Sequence, residues 1–130
     1  MKTLASAVLA VIALSLAASI ALGQDIAAGR TSFGKCMACH AVGEGARNKI
    51  GPELNGLSGR RAGGAPGYSY SEANRKSGIT WSEAEFKSYI REPKAKIPGT
   101  KKIFAGIKDD EEASDLWAFL AQYDRDGRTR

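Results

Sequence analysis

Apolar residues recur at helical spacing in short blocks along this chain, and no run alternates long enough to predict a strand. The first structured block is predicted at Asp25–Gly34, with Asp25 as N-cap and Ile26, Ala27, Gly29 and Phe33 on one face. Ser71–Ser77 reads as a short helix. Thr80 is the expected cap of a clearer one running to Arg91, with Trp81, Phe86, Tyr89 and Ile90 inward. Pro93 breaks or restarts it, and Ile97-Pro98-Gly99-Thr100 begins a loop. Asp109–Tyr123 is the last predicted helix, acidic at its start as the dipole prefers, with Leu116, Trp117, Phe119 and Leu120 apolar. The tail Asp124–Arg130 is polar or charged apart from Gly127 and is expected to fray. The pattern predicts an all-α chain of four to five helices with long loops.

Ahead of these helices lies a different kind of segment. Met1-Lys2 is a short positive start, Leu4–Leu22 carries no charge, and Ala21-Leu22-Gly23 precedes polar Gln24. That layout predicts a secretory signal peptide over 1–23, cleaved before Gln24. The competing reading is an uncleaved anchor, since a run of this length just spans a bilayer. Three serines, many alanines and the cleavage pattern favour removal. Residues 24–130 then form one domain, with no repeat or linker inside it.

A domain of that size buries only about two-thirds of its surface and gains from an added core. Its middle, from about Ala41 to Tyr70, holds eight glycines with Pro52 and Pro66, too long for an ordinary connection. A large apolar cofactor would organise it. Export usually brings disulfides, yet the two cysteines, Cys36 and Cys39, stand three apart and would staple almost nothing. His40, the one histidine of the chain, follows directly. Two thiols at this spacing with an adjacent imidazole suit covalent haem attachment: the thiols add to the porphyrin vinyl groups and the imidazole reaches the iron. A thioredoxin-like pair would need a strand–helix–strand setting. A zinc site would need a further Cys or His. A short-range disulfide would need no histidine.

Beyond this motif the chain resembles class I cytochrome c, the mitochondrial protein and its soluble bacterial relatives, almost end to end after the leader. The resemblance rests on Gly51-Pro52-Glu53-Leu54-Asn55-Gly56, Gly59-Arg60, Tyr68–Asn74, Gly78-Ile79-Thr80-Trp81, Ile97–Lys101, Ile103–Lys108 and Asp115-Leu116. It implies an all-α class I cytochrome c fold wrapped around one covalent haem c, with His40 as an axial iron ligand. By the same resemblance the Pro52 carbonyl accepts the His40 ring N–H, and Arg60, Tyr70, Trp81 and Thr100 hydrogen-bond the propionates. Asn74 and Tyr89 form the polar pair on the distal side, Phe104 is a further haem-binding residue, and Gly29, Phe33, Leu116 and Phe119 form the crossing of first and last helices. The implied activity is one-electron transfer rather than enzymatic turnover.

The chain departs from the family at one decisive place. Methionine is expected directly after Lys101 as the second axial ligand, and here that residue is Lys102. Met1 lies in the leader and Met37 between the cysteines, so neither supplies the distal face. Two expectations follow. Lys102 ligates the iron through its neutral amine, with Lys101 as competitor, which lowers the reduction potential relative to His/Met. Alternatively Lys102 turns to solvent and leaves water or an open site, giving a haem-based small-ligand binder or weak peroxidase. An engineered lysine in an ordinary carrier is a third possibility.

The formal charge is +5, or +4 without Lys2. Export argues against nucleic acid as partner. Lys35, Lys49, Lys94, Lys101 and Lys108 match the family's basic ring, which would steer the protein to acidic patches on redox partners. Expected partners are a membrane bc-type complex, a reaction centre, an oxidase or a dehydrogenase. The expected form is a monomer in the bacterial periplasm that docks at membranes without being embedded in them.

Overall fold

Four of the five helices begin at a side chain that accepts a backbone N–H of the first turn, which satisfies one of the donors a helix start leaves free. Asp25 accepts from Ala28 N at 3.0 Å to open α1 (Ile26–Phe33). Ser71 opens α2 (Glu72–Arg75) through Asn74 N at 3.1 Å. Ser82 opens α3 (Glu83–Arg91) through Glu85 N at 3.3 Å. Asp109 opens α5 (Asp110–Ala121) through Glu112 N at 2.7 Å. The short α4 (Pro93–Lys96) instead has Pro93 in its first turn, where a missing N–H costs nothing. These elements come from a computed structural model that describes residues 24–130. The predicted leader, 1–23, lies outside the described residues.

The predicted cap Thr80 is corrected to Ser82. Thr80 forms an isolated antiparallel bridge with Arg61, whose neighbour Arg60 accepts Trp81 N at 2.9 Å. A threonine suits extended backbone as well as a cap, and here pairing with the loop takes it.

The core sits where α1 and α3 cross α5. Gly29 faces the α5 backbone so closely that a Cβ there would stand 2.0 Å from the Asp115 carbonyl oxygen. Phe33 and Phe119 meet at 5.3 Å, and Phe86 of α3 meets Trp117 at 5.4 Å. Leu116 and Leu120 are fully buried between them. Among the described residues no strand forms, and no helix is long and apolar enough to cross a membrane.

The glycine-rich middle is tied more by backbone pairing than its composition suggests. Gly51 N donates to Cys39 O, Leu54 N to Ala41 O, Ala62 N to Ile79 O and Gly59 N to Trp81 O, all at 2.8–3.0 Å. Asn55, buried, closes a two-way bond with the Gly43 backbone at 2.9 Å each way. The tail does not fray. Asp124 accepts from Asp126 N and Arg128 N at 2.9 Å, Tyr123 bridges Thr129, and Arg128 pairs with Glu44. Gly127 permits this, having a φ of +79° and a backbone so close to Gly43 that no side chain fits.

Candidate functional site

Helical turns continue past α1 into the cysteine segment. Cys36 N donates to Phe33 O at 2.8 Å, and Cys39 N and His40 N both donate to Cys36 O at 3.1 and 2.9 Å. Both thiols and the imidazole therefore reach the same space, a cavity of about 370 Å³ bounded on its floor by Leu57, Ile90, Leu116 and Leu120. The cysteines are unpaired, and burial pushes the Cys36 thiol up.

His40 is buried and held in one tautomer. Its Nδ1 donates to Pro52 O at 2.7 Å, which leaves the Nε2 lone pair directed into the cavity. The ring lies flat on Gly51, where a Cβ would stand 2.4 Å from Cε1. Burial first, and the charge of Lys102 second, push the imidazole pKa down to about 4, so it is neutral at physiological pH.

Lys102 enters from the opposite wall. Its Nζ lies 3.1 Å from His40 Nε2 and 5.5 Å over the Phe104 ring, and burial pushes its pKa down, toward the amine that has a lone pair. Lys101 is placed differently. It is exposed at the edge of the cavity, where its Nζ bonds Ser69 O and sits 4.7 Å over the Tyr68 ring. The two adjacent lysines thus point to different surroundings. Tyr68 is itself fixed by donating to Ile50 O at 2.6 Å.

The remaining predicted residues border the same cavity: Arg60, Tyr70, Asn74, Trp81, Tyr89 and Thr100. Tyr70 accepts Ala65 N at 2.9 Å, Thr100 accepts Lys102 N at 3.2 Å, and Trp81 packs 5.0 Å from the Tyr89 ring. Burial, opposed by the Thr100 hydroxyl, pushes Tyr89 up to about 12. Raised above the ordinary value near 10, this phenol contributes stability below pH 10 that is lost as pH rises through 12. Tyr89→Phe removes that contribution. Between pH 9.5 and 12 the variant should lose about 2–3 kcal/mol less unfolding free energy than the parent in denaturant titrations. Equal losses would show that Tyr89 ionises normally.

Two buried polar atoms along the cavity have no protein partner, Arg60 Nε and Asn74 Oδ1. An unpaired guanidinium nitrogen beside an apolar cavity suits an anionic group entering from outside the chain. Two residues the sequence left without a role also stand out. Gly51 is the flat rest for the imidazole, and Glu53 bonds Arg60.

The family model for Cytochrome c matches residues 26–124. The chain belongs to the cytochrome c family. It is 66% identical over 104 residues to cytochrome c-550 of Bradyrhizobium diazoefficiens, covering 80% of this chain and 76% of that one. It is 62% identical over 107 residues to cytochrome c2 of Rhodoplanes tepidamans, covering 82% of this chain and all of that one. In structure it is similar to cytochrome cH from Methylobacterium extorquens, with a TM-score of 0.69 and 45% identity over 74% of this chain and 96% of that one. This cytochrome has the class I fold, takes one covalently attached c-type haem, and is an electron carrier rather than an enzyme.

The cavity fits that haem. It offers two free thiols at the attachment spacing, a neutral imidazole lone pair, apolar walls, and an orphaned guanidinium nitrogen for a propionate. His40 Nε2 and Lys102 Nζ face each other across this cavity at 3.1 Å.

Proposed function

We propose that this cytochrome is a periplasmic one-electron carrier in which Cys36 and Cys39 bind the haem covalently, His40 and Lys102 ligate its iron, and the potential is lowered by the amine. Bound there, the haem supplies a one-electron Fe(III)/Fe(II) couple with no group transferred. The chain's part is to fix the ligands, shield the iron from water and leave an edge accessible. Pro52 orients His40 and increases its basicity by accepting the Nδ1 proton. Arg60, Tyr70, Trp81 and Thr100, which border the cavity, supply donors for the propionates, with Asn74 and Tyr89 on the distal side and Phe104 also against the haem. The observation that carries the ligand assignment is the position of Lys102 Nζ, half-buried and 3.1 Å from His40 Nε2, while Lys101, exposed at the edge of the same cavity, is tied to Ser69 and Tyr68.

The positive start, the uncharged run Leu4–Leu22 and the small-residue cleavage pattern support export as residues 24–130. Lys35, Lys49, Lys94, Lys101 and Lys108 are all exposed, and Ile50 and Ile103 are exposed at the cavity rim. Basic residues around an apolar edge support docking on acidic surfaces of membrane redox complexes, with rates that fall steeply with salt.

The test is an electron paramagnetic resonance and optical titration of the ferric, haem-loaded protein from about pH 5 to 11. A low-spin, nitrogen-ligated signal at neutral pH, lost in Lys102→Ala but kept in Lys101→Ala, is the expected result. High-spin ferric iron that readily takes cyanide, with the dithionite-reduced protein readily taking carbon monoxide, would overturn the assignment in favour of a ligand binder or weak peroxidase.

A further inference from the structure

Arg60 borders the haem cavity, and what lies behind it is a carboxylate. The Arg60 side chain is only 9% exposed; its two terminal nitrogens donate to Asn55 O at 3.0 Å and Glu53 O at 2.9 Å. Its Nε is buried and unpartnered, and the residue borders the cavity. Glu53 does not line that cavity. It lines a shallow depression on another side, shared with Arg47, Arg125 and Asp126, all three exposed. The Glu53 side chain, 18% exposed, turns inward: one oxygen accepts Asn55 N at 2.7 Å and the other lies 3.4 Å from Arg60. Water screens the exposed charges of the depression far more than this inward pair.

We propose that Glu53 is a potential-tuning residue that acts through Arg60. An uncompensated buried guanidinium beside the haem favours the state with one positive charge fewer, the ferrous one. A carboxylate held against that guanidinium cancels part of its field and returns the equilibrium toward ferric. Glu53 itself touches neither the cavity nor an iron ligand, so the effect is electrostatic and leaves the axial set alone. The proposal rests on the haem, not on which nitrogen fills the sixth position.

Glu53→Gln is the informative change, because the amide keeps an oxygen for Asn55 N and removes only the charge. The expected result in the haem-loaded protein is a shift of the redox equilibrium toward ferrous by about three- to tenfold. That is a rise of roughly 30–60 mV at 59 mV per tenfold. Glu53→Asp should stay within about twofold of the parent, and all ferric spectra should coincide. Glu53→Asn serves as a second neutral variant should Glu53→Gln load haem poorly, since its side chain still reaches the backbone two residues on. A potential unchanged in the neutral variants would overturn the proposal. So would equal shifts in the neutral and charged variants, which would mean that Glu53 only shapes the loop.

Discussion

Replacing Lys102 by methionine is expected to raise the reduction potential by on the order of 100 mV or more, well inside the roughly 0.8 V that axial ligands span. The reason is the donor. A neutral amine is harder and more basic than a thioether, so it stabilises iron(III) over iron(II), whereas methionine does the reverse. At 59 mV per tenfold, 100 mV corresponds to roughly a fiftyfold change in the ferric-to-ferrous ratio. Spectroelectrochemical titration of both proteins at neutral pH reads it directly. The pocket favours a clean exchange. Lys102 is the only residue changed, its backbone N–H is already held by Thr100, and Phe104 offers an aromatic face that a thioether packs against well.

The size of the shift distinguishes this substitution from Glu53→Gln, which moves the potential in the same direction without changing the ligand. Methionine also changes the ferric spectrum; glutamine at residue 53 does not. If Lys102→Met leaves the potential within a few tens of millivolts of the parent, Lys102 is not the residue that sets it.

The helices were legible in the sequence because their signals are local. Asp25 sits one residue before apolar periodicity begins, and a short oxygen side chain there has one obvious use; Ser71 and Asp109, read as the first residues of their helices, are the caps just ahead of them. Ser82 was missed for Thr80 because both residue types cap, and what decides between them is the pairing of Thr80 with Arg61, distant in sequence. The tail was misjudged for a similar reason. Its composition is that of a frayed end, and its order depends on contacts with Gly43, Glu44 and Gly56 that no local pattern announces. In the site, the cysteines and His40 could be read from spacing alone. Spacing does not separate Lys101 from Lys102, two adjacent lysines in a loop; the preference for Lys102 comes from the position of the family's methionine. Glu53 and Arg60 are seven apart in irregular chain, where spacing says nothing about contact.

Gly29→Ala should destabilise the protein by about 2–3 kcal/mol, the opposite of its intrinsic effect on a helix. Alanine in place of glycine within a helix is worth up to about 1 kcal/mol in favour of folding. At Gly29 the added methyl would stand 2.0 Å from the Asp115 carbonyl oxygen and 2.8 Å from the Phe119 Cβ. A flexible side chain could rotate away; a helix backbone cannot, so α1 and α5 must separate. That opens the contact of Phe33 with Phe119 and loosens the packing around the fully buried Leu116. Overpacking of this kind costs at the upper end of about 1–3 kcal/mol or beyond, which outweighs the propensity gain. For a domain of this size the midpoint of thermal unfolding should fall by on the order of 10–20 °C. Gly34→Ala is the control. It sits just beyond the same helix with an ordinary helical φ of −50°, and its nearest neighbour would be 3.1 Å away. It should cost under about 1 kcal/mol. Because Cys36 and His40 follow α1 without a break, the Gly29 variant should also lose covalent haem during maturation, read as haem absorbance per protein. Normal stability in Gly29→Ala would mean that the crossing of α1 and α5 is looser than its geometry states, and that some other packing holds the attachment segment in place.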